Sequence, residues 1–367
     1  MSLDGVLFWV RAVPVLLFIL VGLVLVHELG HFIMARLTGV RVLEFGIGFP
    51  PKAKVLGHDH ETEYTLNWLP IGGFVRLEGE ETDSEDPRSL SNAPLSRQLL
   101  IMVAGVGMNL LTAVLLLFAV AWIFNPMVQP VVAGFAADGA TPAQAAGINA
   151  GDTLVSIDGR THSLLDFGSD PFGGWRSDLL SHAGQTVTMV VANSAGEERS
   201  VTVHLRVPDD QHSGSLGVSM GFSFAYTAGN PVDAIQTSIG GTGKALTLVL
   251  VALGDVGKQI ATNPTQGPSG VAGPVGIAAD VGHVLSQNDA PMLLLLLAGI
   301  LSANLALINI LPFPPLDGGK VLIMVVKRVF GMRGVGALEI ATNLIGFGLL
   351  MAFIAWVSFF DIVRAGQ

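Results

Sequence analysis

The chain has 367 residues, no cysteine and a formal net charge of −10, with 50% hydrophobic and only 13% charged residues. Without cysteine it has no disulfide, thiolate metal site or thiol nucleophile, and with no dense basic patch it is not built to bind nucleic acid. A charged fraction about half that of a soluble domain, with a mean hydropathy of +0.60, points to a membrane protein.

A helix needs about 20 apolar residues to cross a bilayer. In chain order, residues 1–38 read as a first span, 39–98 as a loop with β-type runs and 99–125 as a second span. Residues 126–222 read as a folded insert, 223–290 as an interfacial linker, 291–329 as a third span and 336–362 as a fourth. The first span is expected to stay in place rather than act as a signal peptide, because no small-residue cleavage site precedes His27 and the helical pattern runs past it. The loop holds "RVLEFGIGF", "EYTLNWL", the glycine-rich "PIGGFVRL" and an acidic run, "EGEETDSED", that reads as solvated. In the second span, "AGVGMN" (104–109) has small residues that permit close helix packing, and Asn109 can hydrogen-bond the hairpin or a substrate.

The insert begins with "TPAQAAGINAGDTLVSIDG" (141–159), which predicts a short helix, a turn, a strand and an Asp-Gly turn. "TVTMVVA" and "SVTVHLRV" then alternate with period two around a polar turn, the pattern of a hairpin. Within the linker, Gly240–Leu253 is apolar but short and glycine-bearing, which fits an interfacial helix better than a span.

The chemistry concentrates in "HELGH" (27–31), directly after a run from Ala12 to Val26 of apolar residues, glycine and proline. In a helix, positions i and i+4 share a face, so His27 and His31 can hold one ion. Glu28 can then act as base toward a water on that ion. A charge at mid-bilayer costs at least about 2.5–3.5 kcal/mol, which argues against a chance motif there. A catalytic zinc usually has three protein ligands. The third span offers Asp317 in "NLALINILPFPPLDGGK" (304–320), where Pro312, Pro314 and Pro315 interrupt the helix. Asp317 can also cap the next helix, a role that does not exclude ligation, and Glu339 and Asp361 are rival ligands near predicted membrane edges.

"HELGH" with "NILPFPPLDGG", supported by "EFGIGFPPK", "TEYTLNWLPIGGFVRL", "AGVGMN" and "GPVGIA", resembles the site-2 protease family of intramembrane zinc metalloproteases, of the bacterial regulator of sigma-E protease type. The insert resembles a PDZ domain. The resemblance implies a polytopic α-helical membrane protein with four transmembrane helices, a re-entrant β-hairpin and one extracytoplasmic PDZ-like α+β domain. It implies Zn2+ on His27, His31 and Asp317, with Glu28 as catalytic base. Asn309, eight residues before the aspartate, occupies a position expected to engage substrate backbone, although helix–helix hydrogen bonding is an equal alternative.

Gly72 and Gly73 of the hairpin are placed with the substrate-binding residues, since an exposed strand edge can pair with a substrate unwound from its helix. An ordinary cytoplasmic hairpin is the other reading. In the insert a peptide strand is expected to add beside Leu216, Gly217 and Val218; alternatively the domain only filters substrates by size. Arg36, Arg41, Lys52, Lys54, Arg76, Arg88 and Arg97, with Lys327, Arg328 and Arg333, place both basic loops in the cytoplasm and the insert outside. The expected protein is an inner-membrane endopeptidase that cuts single-pass transmembrane substrates, such as a pre-trimmed anti-sigma factor or a remnant signal peptide, within the lipid bilayer. A non-catalytic scaffold with a structural zinc is the alternative, and a transporter a weaker one.

Overall fold

A computed structural model describes residues 3–59, 61–80, 84–137, 140–166, 174–209, 214–263, 267–268, 270–331 and 337–365. The elements are α1 (Leu3–Thr38), β1 (Val42–Asp59), β2 (Thr62–Leu77), α2 (Leu95–Ala119), β3 (Pro126–Phe135), α3 (Pro142–Ala145), β4 (Thr153–Ile157) and α4 (Trp175–Ser181). They continue with β5 (Thr186–Ala192), β6 (Glu198–His204), β7 (Val218–Tyr226), α5 (Pro231–Thr262), α6 (Pro274–Leu285), α7 (Ala290–Ile310), α8 (Asp317–Val329) and α9 (Ala337–Ala365). The chain divides into two compact units, one of Met1–Leu116 with Val249–Gln367 and one of Leu117–Leu248.

Among the described residues five helices are long and apolar enough to cross a membrane: Asp4–Thr38, Leu95–Phe124, Pro231–Thr262, Ala290–Ile310 and Ala341–Arg364. The sequence led us to expect four. The additional one is α5, read from sequence as a short interfacial stretch but formed here as one helix of 32 residues. Its polar side chains do not break it, because Thr242 and Thr247 donate to the carbonyls of Ser238 and Gly243 one turn back.

The third expected span, 291–329, is interrupted at its prolines, as the sequence indicated, into two helices. Pro312, Pro314 and Pro315 lack N–H donors and force their predecessors out of helical geometry. Leu311, just before Pro312, is accordingly extended, with ψ of 141°, and Leu316 is extended as the N-cap of the next helix, with ψ of 161°. The α7 helix keeps 21 residues, while α8 has 13 and is too short to span. The fourth expected span begins at Gly336, which lies outside the described residues, as does the Glu339 side chain.

In the first unit, Ala12, Leu16 and Leu23 of α1 pack against Ala278 and Val281 of α6 and Leu301 of α7. A second cluster joins Ala35 of α1 to Val42 and Leu77 of the sheet and Ile101 of α2. The loop after α1 is more than a hairpin. β1 and β2 each bend, so that 42–47 lies between 73–77 on one side (Val42↔Leu77, Ile47↔Gly73) and 63–66 on the other (Glu44↔Glu63, Ile47↔Leu66). The segment 52–59 then pairs outside 62–67, through Lys52↔Asn67 and Asp59↔Thr62.

The second unit holds a five-stranded sheet in the order β6-β5-β4-β3-β7. Val128, Leu154, Met189 and Val203 from four of its strands share a core with Trp175 of α4. The Trp175 Nε1–H donates to the Val128 carbonyl at 2.8 Å, which satisfies its buried polar atom. Thr141 and Gln144 form a capping box at α3, and Asp158 and Gly159, with φ of 47° and 76°, make the tight turn after β4.

Candidate metal centre

His27 and His31 lie one turn apart on α1, deep in an apolar helix, and both are buried. Asp317 opens α8, 290 residues from His27, and is buried with them. His27 Nε2 is 2.9 Å from Asp317 Oδ2, His31 Nε2 is 3.1 Å from the same oxygen, and the two imidazole nitrogens are 3.1 Å apart. One nitrogen from each ring and one carboxylate oxygen thus converge on a single point, the only such group of three or more ligating residues among the described residues. Asp317 makes no side-chain cap on α8, whose N-cap is Leu316. Asp361 is engaged elsewhere: its Oδ2 accepts the N–H groups of Gly273 and Gly276, both at 2.9 Å, at the start of α6.

The surroundings prepare both rings for a cation. His31 Nδ1–H donates to the Ile101 carbonyl at 2.8 Å, which fixes the tautomer whose Nε2 lone pair is free. His27 Nδ1 faces the buried amide of Asn109, its Nδ2 at 3.3 Å, while the Asn109 Oδ1 has no partner. Turning that amide over gives the orphaned oxygen the His27 Nδ1–H and frees His27 Nε2 in the same way. Two neutral imidazoles and a carboxylate suit Zn2+. Ser302 of α7 locks the backbone beneath Asn109, donating to its carbonyl at 2.8 Å.

Glu28 lines a cavity with His31 and Asp317. Its Oε2 accepts the Val75 N–H of β2 at 3.0 Å, so the outer edge of segment 73–77, away from β1, faces the centre. That cavity, of about 40 Å³, opens there, lined by Glu28, His31 and Asp317, by Glu80 and Lys320, and by the apolar Val75, Leu77 and Met102.

Glycines make this assembly possible. A Cβ on Gly105 of α2 would lie 2.4 Å from His31 Nε2, and one on Gly30 of α1 would lie 2.5 Å from the Ala104 carbonyl oxygen. Gly318 and Gly319 press on the proline turn, where an added Cβ would meet the Ile310 and Phe313 carbonyl oxygens at 2.1 Å. Sequence reasoning missed Gly30 and Gly105 as individual requirements, although both sit inside motifs it singled out. It also missed Glu80 and Lys320. The "GGK" that follows Asp317 was a signal for the lysine, because i and i+3 share a helical face.

The other expected site residues fall as follows. Gly73 packs against Leu25 of α1, and Gly72, at φ 77°, lies near Val24. Both therefore bring β2 close to the helix that carries the histidines. Asn309 is half-buried in the last turn of α7, beside the Ile310 carbonyl that Gly318 covers. In the second unit Leu216 is a core residue, Gly217 bends at φ 72°, and Val218 begins β7 at one edge of the sheet. The carbonyls of Leu216 and Gly217 accept from Ala143 and Ala136.

Two imidazoles and a carboxylate with their lone pairs aimed at one point, and a further carboxylate beside them, define a metal-dependent hydrolase set among helices of membrane-crossing length. The chain belongs to peptidase family M50, whose model matches residues 15–353. It is 32% identical over 347 residues to a protein of Clostridium acetobutylicum classed by name among the zinc metalloproteases, covering 93% of this chain and 94% of that one. A Synechocystis protein of the same designation is 33% identical over 320 residues, covering 85% of this chain and 84% of its own. A chloroplastic membrane metalloprotease of Arabidopsis thaliana is 28% identical over 360 residues, 94% of this chain and 76% of that protein. The chain is a multi-pass membrane zinc metalloprotease.

Proposed function

We propose that the protein is an intramembrane endopeptidase that cuts single-pass transmembrane substrates, with His27, His31 and Asp317 as zinc ligands and Glu28 as general base. The observation that carries this reading is the convergence of three ligand atoms, two of them from α1, a helix of membrane-crossing length, and the third from Asp317 of α8, with Glu28 one residue from His27. Zinc, when bound, polarises a carbonyl and brings the pKa of a water toward about 7. Glu28 takes a proton from the attacking water and passes it to the leaving amine. Val75 N–H holds the Glu28 carboxylate in a fixed orientation meanwhile.

A transmembrane helix hides its carbonyls in i→i−4 bonds, so the substrate must unwind before attack. Segment 73–77 supports that step, because its outer edge faces the centre and can pair with an extended strand. Exposed apolar residues on the same sheet, Trp68, Leu69 and Leu56 among them, support a hairpin that dips into the bilayer. The basic residues of 36–98 support a cytoplasmic position for the sheet and an outward position for the β-rich unit, which we read as a PDZ-like domain that admits substrates already trimmed outside. A pre-trimmed anti-sigma factor or a remnant signal peptide fits those requirements, and regulated intramembrane proteolysis in a bacterial inner membrane is the setting. Four spans with an interfacial α5, or five spans, are both compatible with the helix lengths; cysteine labelling at each end of α5 separates them.

The test is Glu28→Gln in the purified full-length protein. It should keep its zinc and lose more than about a thousandfold in cleavage of a tagged transmembrane substrate. Undiminished cleavage would overturn the mechanism.

A further inference from the structure

Lys320 is a partly exposed cation lining the cavity beside the metal centre, and the mechanism above leaves it without a task. It is one turn beyond Asp317 on the same face of α8, and among the residues lining the central cavity it is the only cation. Its Nζ donates to Glu80 Oε1 at 2.8 Å, on the loop that leaves β2. Glu80 is mostly buried and Lys320 about one-third exposed. An ammonium has three donors and no acceptor capacity. Glu80 takes one, so two remain for the cavity. The carboxylate also offsets a charge that would otherwise be costly in an apolar setting. Glu28 lines the same cavity and is held by the Val75 N–H, so the acceptor and the ammonium each have a positioning partner of their own. A proton acceptor and a fixed hydrogen-bond donor lining one cavity are the two groups that addition of water to a carbonyl requires.

We propose that Lys320 is a catalytic residue that donates a hydrogen bond to the oxygen of the scissile carbonyl as negative charge develops on it, with Glu80 as its positioning partner. This rests on the reading of Glu28 as base. In the step, a C–O bond forms to the water oxygen and the carbonyl π pair moves onto its oxygen, where Lys320 meets it. The water proton goes to Glu28. On collapse the C–N bond breaks and that proton leaves on the amine nitrogen, while Lys320 gives up none. Donors of this kind act in water-poor sites, where each is worth a factor of about 10²–10³ in kcat.

The test compares Lys320→Met, Lys320→Arg, Glu80→Gln and Glu28→Gln in the full-length protein, with zinc content measured for each. Lys320→Met should lower kcat by about a hundredfold or more with little change in KM, and Lys320→Arg should recover part of it. Affinity gives a second readout that needs no turnover. A peptidyl phosphinate, which presents tetrahedral oxygens, should bind Lys320→Met at least about tenfold more weakly, whereas a peptidyl thiol should bind it unchanged. Glu80→Gln retains the ammonium and should keep most of the preference for phosphinate. Wild-type kcat in Lys320→Met overturns the proposal. So does equal weakening of both inhibitors, or a Glu80→Gln variant as impaired as Lys320→Met, the result that a mere tether between α8 and the β2 loop would give. Should Lys320→Met lose its zinc, Lys320→Arg and Glu80→Gln decide by the same inhibitor comparison. Active Glu28→Gln would remove the hydrolytic reading itself; inactive Glu28→Gln beside fully active Lys320→Met would remove this inference alone.

Discussion

Gly105 faces both imidazoles so closely that a methyl group built on it would lie 2.4 Å from His31 Nε2 and 2.8 Å from His27 Cε1. Neither ring can retreat freely, because His31 is tied to Ile101 on the same helix as Gly105 and His27 to Asn109. Gly105→Ala is therefore expected to displace the rings and strip the metal: zinc content of the purified protein should fall well below one per chain. Asn109 acts through the ring rather than by volume. Replacing it with Leu removes the partner that fixes the His27 tautomer, and loss of such a partner typically costs 10–100-fold in metal affinity. Competition with a zinc chelator should show that loss, and Asn109→Asp, which keeps an acceptor oxygen, should lose less. "HELGH" was legible because its chemistry is contiguous. Gly105 was not, since only the packing of α2 on α1 shows which of the small residues in "AGVGMN" meets the ligands.

At the level of elements, helix ends explain both what the sequence disclosed and what it concealed. Three prolines before Asp317 announced a break, and the break is there. The range 291–329 runs through that break because apolar content continues across it, and hydropathy does not register missing N–H groups. The motif "GPVGIA" has a comparable explanation that no local pattern could give. Its backbone N–H groups begin α6, and Asp361 on α9 accepts two of them from across the fold. Asp361 thereby does what an N-cap side chain does, and losing such a cap costs roughly 0.5–2 kcal/mol. Asp361→Ala should lower the thermal midpoint in detergent, and Asp361→Asn, which keeps one acceptor, should lower it less. Zinc content should be unchanged in both, which separates this carboxylate from Asp317. The sheet shows a further limit of sequence reading. Two β-type runs read as one hairpin, re-entrant by the family resemblance, and the runs do not show that each strand bends, so that 42–47 has one partner in 73–77 and another in 63–66.

Across the whole chain, the proposed metal ligands come from its two ends: α1 supplies two and α8 the third, 290 residues after His27. No local interaction can hold that junction, so zinc, once bound, does part of the work of closure. A ligand that binds only the assembled state stabilises it by about 4 kcal/mol at a thousandfold excess over its dissociation constant. Two imidazoles and a carboxylate left without an ion lose that contribution, and α8 then depends on the packing of Val321 and Met324 and on the Lys320–Glu80 pair to stay docked. Chelation should therefore expose the proline turn between α7 and α8 before it unfolds anything else. The check is limited proteolysis in detergent with and without chelator: cleavage should rise within 311–316, and added zinc should suppress it. In Asp317→Ala the same bonds should be cut whether or not chelator is present, because the link the metal makes is already gone. Equal protection of that turn in the zinc-loaded and stripped wild type would mean that packing alone closes the centre and that the metal serves chemistry only.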